Sequence, residues 1–216
     1  MPAQDPLSAR GYRLLETLLL ERGQVFLAAA HLRRLADSAR CCGFVFDEGA
    51  LRRRLADCAA AHPVGRHRLR LLLDRHGAVE LRAQPLADGH GAPWRVALAS
   101  HPVDAADPWL RHKTTRRELY DRHRAEWPGC DDVLLYNRSG LLTESCIANL
   151  VLQIDGDLLT PALHCGLLPG TFRGELLARG EIREAELPLA ELRRAERLWL
   201  INSLRRWVPV AGWPCD

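Results

Sequence analysis

Thr143-Glu144-Ser145-Cys146-Ile147-Ala148-Asn149 decides how this chain is read. A glutamate and an asparagine stand five residues apart among apolar neighbours, and buried polar groups are costly unless each has a partner. The stretch joins two runs, near 141–143 and 148–154, that read as strands. Two further clusters lie downstream. Gly166-Leu167-Leu168-Pro169-Gly170-Thr171-Phe172-Arg173 is a glycine-bearing turn that opens a helix over 171–179. Such a helix start presents backbone N–H groups and a positive dipole end, a ready site for an anion. Leu200-Ile201-Asn202-Ser203-Leu204-Arg205 reads as a strand ending in two hydrogen-bonding residues and an arginine.

Upstream stands Lys113. Thirty of the 216 residues are Lys or Arg, and Lys113 is the single lysine. Any chemistry that needs a side-chain amine must use it. Burial or neighbouring cations make a lysine amine nucleophilic, and Arg111, Arg116 and Arg117 are close in sequence. A surface lysine at the start of a helix near 115–126 is the plainer reading of that segment taken alone.

The first half reads as strands near 12–20 and 24–27 and a helix near 30–42 stopped by Gly43. A second helix near 48–61 has Asp47 as N-cap, and a hairpin follows over 67–74 and 78–84. A further strand spans about 94–99. Residues 100–112 have little periodicity and read as a connector. The second half adds strands near 132–136, 157–159, 182–186 and 197–201 and a helix near 188–194. The expected organisation is a small N-terminal α/β domain over 1–99, a connector over 100–112 and a larger C-terminal domain over 113–216. The element mix is α/β in the broad sense, of α+β type, with two layers in each half.

Composition excludes several classes. The chain is 47% hydrophobic and 26% charged, an ordinary globular balance. A net charge of +3 falls short of a dedicated nucleic-acid binder. The arginine runs Arg52-Arg53-Arg54 and Arg66, Arg68, Arg70 read as solvated faces. No apolar run approaches the roughly 20 residues that span a membrane. Seven cysteines without a C-x-x-C pair speak against zinc, and no metal site is expected. The polar, proline-rich opening Met1-Pro2-Ala3-Gln4-Asp5-Pro6 lacks a leader's apolar core, so a reduced cytoplasmic protein is expected.

Taken together, the motifs resemble those of the class IV aminotransferase family, the fold-type IV enzymes that use pyridoxal 5′-phosphate (PLP). The family pattern begins with Glu144, Cys146 and Asn149. It continues through Leu158 and Thr160 and closes with Leu168, Gly170 and Arg173. Thr171 and Val151 depart from it, where the family has an aliphatic and an aromatic residue. Glu16-Thr17 and His31-Leu32-Arg33-Arg34-Leu35 are similar to the family's N-terminal domain. The resemblance runs from about residue 14 to 210. It implies a two-domain D-amino-acid-aminotransferase-like fold and a homodimer.

The resemblance also implies roles. Lys113 would carry PLP covalently and then move protons. Glu144 would pair with the pyridine nitrogen, and Asn149 would support its loop. The amides of Thr171 and Phe172, with Arg34 and Ser203, would hold the phosphate. Arg205 and Asn202 are the candidates for an anionic substrate. The family's tyrosine for the phenolic oxygen is replaced by Glu118, with Tyr120 as a substitute. The runs Lys113-Thr114-Thr115-Arg116, Leu142-Thr143-Glu144-Ser145 and Asn202-Ser203-Leu204-Arg205 are closest to aminodeoxychorismate lyases, although Arg206 stands where those proteins usually have glycine. Branched-chain or D-amino-acid transamination is the alternative within the family. A non-catalytic, arginine-rich binding protein on the same fold is the alternative outside it.

Overall fold

The computed structural model describes residues 7, 11–87, 92–211 and 213. It divides into two compact units. One takes the described residues up to 87 together with His112–Arg116, and the other takes the rest.

The first unit is an antiparallel sheet in the order β2-β1-β3-β4, with two helices packed on it. Its strands are β1 (Leu14–Glu21), β2 (Gln24–Val25), β3 (Arg66–Leu73) and β4 (Val79–Pro85). β1 pairs along its whole length with β3, from Leu14 opposite Leu73 to Glu21 opposite Arg66. Helix α1 (Ala28–Cys42) buries His31, Leu32, Leu35, Ser38, Ala39 and Cys42, one stripe at helical spacing. It ends at Gly43 with φ 68°, the left-handed stop that glycine adopts without penalty. Helix α2 (Glu48–Ala61) begins where the sequence indicates, with Asp47 accepting from the Ala50 N–H at 2.9 Å.

Residues 112–116 return to this unit as an extra edge. Leu15 N–H donates to the Lys113 carbonyl at 2.9 Å, Thr115 N–H donates to the Arg13 carbonyl at 2.9 Å, and Thr114 bridges Leu14. The His112 ring meets the Ser38 hydroxyl of α1 at 3.0 Å. Lys113 is therefore placed by its backbone, against the start of β1.

The second unit is a mixed sheet in the order β10-β9-β8-β7-β6-β5, with β11 paired to β8 and β12 to β11. The strands are β5 (Val96–Leu98), β6 (Asp132–Tyr136), β7 (Leu142–Ser145), β8 (Asn149–Ile154), β9 (Asp157–Pro161), β10 (Arg183–Ala185), β11 (Arg197–Asn202) and β12 (Arg206–Pro209). The β5–β6 and β9–β10 pairs are parallel and the others antiparallel. Leu134, Leu142, Leu150, Leu152 and Leu200 form the centre of its core. Helices α3 (Glu118–Ala125), α4 (Thr171–Ala178) and α5 (Glu191–Arg194) connect the strands.

The unit boundary and the expected domain line at residue 99 differ. β5 pairs with β6 and so lies in the second unit, while residues 112–116 lie in the first. Strand β12 has no counterpart in the sequence reading. It follows a tight turn and opens on Arg206, which has φ 61°, a left-handed conformation that costs a residue with a Cβ about 1 kcal/mol. Arg206→Gly relieves that strain, offset in part by glycine's greater freedom in the unfolded chain. The expected thermal midpoint is about 2 °C higher by calorimetry, and a midpoint lower by that amount contradicts the strain.

Candidate active site

Glu144 and Asn149 are partners across a hairpin. They are the register pair of β7 and β8. The turn between them is closed by Ser145, whose N–H and hydroxyl donate to the Ala148 carbonyl at 2.8 and 3.0 Å. The Ala148 N–H donates back to the Ser145 hydroxyl at 3.0 Å. The five-residue spacing in the sequence is the spacing of two facing residues across a four-residue connection.

Both side chains are buried, each 4% exposed. The Asn149 amide donates to Glu144 Oε2 at 3.4 Å and to the Leu168 carbonyl at 3.0 Å. Leu168 N–H donates to the same carboxylate oxygen at 3.2 Å. Tyr120, on α3, donates its hydroxyl to Glu144 Oε1 at 3.0 Å. Three donors thus orient one carboxylate. Burial, then the neighbouring Glu144 charge, pushes the Tyr120 hydroxyl well above the usual phenol range, so it remains a donor. Arg117 lies over the Tyr120 ring at 4.9 Å and donates to the Cys146 carbonyl at 2.8 Å. Tyr120→Phe removes one donor from a charged acceptor, worth about 1.5–3 kcal/mol. The expected result is roughly tenfold or greater loss of kcat/KM with the fold retained; an unchanged value would show that the phenol does not orient Glu144.

The Leu168 backbone leads directly to α4. The helix has Gly170 as N-cap and no side-chain cap, and Thr171 and Phe172 are buried in its first turn. Gly170 is not needed for its conformation, since φ is −63°. It is needed for space: a Cβ there would lie 1.8 Å from Asn149 Oδ1. At Gly166 both reasons apply, with φ +94° and a Cβ 2.6 Å from Ala105 Cα. Glu144, Asn149 and the start of α4 are therefore one interlocked unit.

β11 delivers the other residues of this unit. Asn202 Oδ1 accepts from Leu204 N–H at 3.1 Å and Arg205 N–H at 2.8 Å, which shapes the turn into β12. Its amide reaches the Ile147 carbonyl at 3.5 Å, in the hairpin turn after Glu144. Ser203 is buried, whereas Arg205 is exposed and stacks over Trp94 at 5.4 Å.

The first unit holds the remaining two candidates, both bonded to strand β1. Lys113 is bonded through its carbonyl to Leu15, and Arg34 is bonded to the next residue, Glu16. Arg34 donates Nε to Glu16 Oε1 at 2.8 Å and Nη2 to Oε2 at 2.5 Å, and His31 Nδ1 meets Oε2 at 2.6 Å. Glu16 and His31 are 2% and 1% exposed. Burial raises the Glu16 carboxyl, but the charges and hydrogen bonds of Arg34 and His31 outweigh it and hold it down to about 2. A folded-state pKa below the unfolded value makes this stabilisation complete above about pH 4.5 and lost as pH falls toward 2. Chemical denaturation across that window is expected to show a steep loss of stability that Glu16→Gln removes.

The family model for class IV aminotransferases matches residues 13–213. The chain belongs to that family. A Schizosaccharomyces pombe protein provisionally named an aminodeoxychorismate lyase is 33% identical over 206 residues, covering 89% of this chain and 86% of that protein. A crystal structure from Mesorhizobium loti, provisionally named an amino-acid aminotransferase, has TM-score 0.86 and 36% identity, covering 93% and 99% of the two chains. A Mycobacterium tuberculosis structure, named a hypothetical aminotransferase in its PLP-bound form, has TM-score 0.79 and 26% identity, covering 97% of this chain and 85% of that one.

The class IV aminotransferase pattern in this chain sorts by physical role. Thr160, fully buried, donates its hydroxyl to the Leu150 carbonyl at 2.7 Å and ties β9 to β8. Arg173 donates to the Pro161 carbonyl at 2.7 Å and pairs with Glu184, so it anchors α4 to β9 and β10. Burial, then the Asp132 charge, pushes the Cys146 thiol up to about 12, which leaves it a small filler and no nucleophile. Gly170 makes room for Asn149. Glu144 is the one carboxylate among these positions, and three donors orient it. The sequence reading missed Glu16 and His31 as a charged cluster, although a glutamate inside Leu14-Leu15-Glu16-Thr17-Leu18-Leu19-Leu20 was a signal that a buried partner exists. Among the described residues no group of His, Cys, Asp and Glu could hold a metal, and no helix is long and apolar enough to cross a membrane.

Proposed function

We propose that this chain is a PLP-dependent 4-amino-4-deoxychorismate lyase that releases 4-aminobenzoate and pyruvate. One observation carries the cofactor reading. The Glu144 carboxylate and the start of α4, where Gly170 is the N-cap, are joined through Leu168, Asn149 and Gly170. An oriented carboxylate and a helix N-terminus held at fixed spacing suit a protonated ring nitrogen and a phosphate on one rigid molecule. PLP, when bound, supplies an electron sink for a proton lost next to the substrate amine. Within the second unit the donors suit the group: Glu144 for the ring nitrogen, and Ser203 with the Thr171 and Phe172 amides for the phosphate; the family resemblance adds Arg34 for the phosphate and Lys113 as the amine that carries the group.

In this reading Lys113 takes the ring proton from the substrate and later returns a proton to the departing group, acting as base and then acid. The ether bond to the enolpyruvyl group breaks, the ring becomes aromatic, and the released three-carbon unit gains the proton as pyruvate. No oxidant is needed. Tyr120 and Asn149 keep Glu144 aimed throughout. Arg205 and Asn202 serve the substrate's carboxylates. A homodimer in a reduced cytoplasm belongs to the same reading; the free thiols of Cys41, Cys42, Cys58, Cys130, Cys146 and Cys165 support the second part. Cys215 lies outside the described residues.

The lyase is favoured over a transaminase by the similarity to the lyase-named fission-yeast protein and by the motif runs around Lys113, Glu144 and Ser203. The aminotransferase-named structure at 36% identity is the observation that keeps transamination as the second reading. A steady-state assay separates them. The lyase releases pyruvate from aminodeoxychorismate at the same rate with or without an added 2-oxo acid; strict dependence on the acceptor overturns the proposal in favour of transamination.

A further inference from the structure

Buried charge in the first unit is concentrated at one place. Glu16 sits mid-strand in β1, flanked by leucines, with His31 and Arg34 presented to it from neighbouring turns of α1. The Glu16 and His31 side chains are 2% and 1% exposed and that of Arg34 is 10% exposed. A lone buried carboxylate in an apolar strand would be strongly destabilising, and a simple core would place a leucine there. What the cluster supplies is geometry. The Nε and Nη2 contacts fix the guanidinium plane side-on to the carboxylate, and they direct its opposite edge away from Glu16. His31, bonded to one carboxylate oxygen, holds the carboxylate's own rotation. The same strand segment also places Lys113 through Leu15.

We propose that Glu16 and His31 are positioning residues for phosphate recognition: they lock the Arg34 guanidinium in the orientation that receives the phosphate of the cofactor. This rests on the PLP reading above, in which Arg34 meets the phosphate. The depressed carboxyl of Glu16 agrees with a permanently charged partner for Arg34. A fork held on one edge loses little further freedom when it binds an anion on the other, which favours preorganised recognition.

The test uses two ligands that differ only in the phosphate, pyridoxamine 5′-phosphate and pyridoxamine, neither of which bonds covalently to Lys113. Equilibrium dialysis gives the ratio of their affinities on one preparation, so partial unfolding cancels. Glu16→Gln keeps the shape and a hydrogen-bond acceptor but removes the charge. The expected ratio falls at least tenfold, because phosphate-dependent affinity is lost while pyridoxamine binding is retained. His31→Asn, which leaves the Arg34–Glu16 pair in place, is expected to lower the ratio by a smaller factor and covers the case in which Glu16→Gln does not fold. An unchanged ratio in the folded variants, with both ligands weakened equally or not at all, overturns the proposal and leaves the cluster a structural one. Arg34→Gln is the control on the underlying reading. If it leaves the ratio unchanged, Arg34 does not meet the phosphate and both ideas fall together. If it collapses the ratio while Glu16→Gln and His31→Asn do not, only the positioning role fails.

Discussion

Lys113→Ala is expected to abolish covalent PLP attachment and to lower product formation by at least about 10³-fold, within the range lost when a group acting as both base and acid is removed. The scarcity of lysine makes the outcome clean. No other lysine exists in the 216 residues to take over. The strand edge that carries this residue is held by backbone bonds: the carbonyl accepts from Leu15, and Thr114 and Thr115 bond Leu14 and Arg13. Alanine keeps all of them. A thermal midpoint within a few degrees of the parent protein, together with loss of the borohydride-fixed PLP adduct by mass spectrometry, is the expected pair of results. Retention of the adduct at another site with full activity contradicts the assignment of Lys113.

Gly170→Ala carries the second large effect. The added methyl would sit 1.8 Å from Asn149 Oδ1, far inside contact distance, so either the helix start or the asparagine must move. Asn149 cannot move cheaply. Its amide is committed to Glu144 and to the Leu168 carbonyl, and it is 4% exposed. Overpacking of this kind costs about 1–3 kcal/mol. The functional loss should exceed what stability alone gives, because the displacement passes to both anchors of the proposed cofactor, the carboxylate and the first turn of α4. We expect PLP affinity to fall at least tenfold. Asn149→Ala on the same background relieves the overlap, and the double variant should be more stable than the sum of the two singles predicts. Wild-type affinity in Gly170→Ala would show that the interlock of Gly170, Asn149 and Glu144 does not control the site.

Much of this was legible in the sequence where one element determines its own form. The hairpin of Glu144 and Asn149 is written in the spacing of two polar residues between apolar runs. α2 starts at its Asp47 cap, and β6 spans 132–136 in both readings. The strand β12 was hidden because its turn is shaped by the Asn202 side chain and by a left-handed Arg206, whereas glycine is the usual signal for that conformation. The side of the boundary to which residues 112–116 belong was also hidden. Backbone bonds from Lys113 and Thr115 to Leu15 and Arg13 leave no mark in side-chain pattern.

For the candidate site the sequence offers residues but not their contacts. Tyr120 illustrates the difference. The sequence offers it as a substitute for a tyrosine at position 118, and the structure bonds it to Glu144, the residue assigned to the ring nitrogen. Glu16 is the reverse case. It appears in the sequence only as part of a resembling strand, and its meaning depends on two residues of α1 that reach it across the layer. Pairwise electrostatics of this kind follow from tertiary packing and cannot be read from periodicity.

Product analysis tests the proposed lyase activity most directly. PLP-loaded protein is incubated with 4-amino-4-deoxychorismate as sole substrate, with no 2-oxo acid present, and both 4-aminobenzoate and pyruvate are quantified by chromatography. Equimolar products accumulating over many turnovers per active site are predicted. Turnover that stops at about one equivalent per site and resumes only when a 2-oxo acid is added would contradict it.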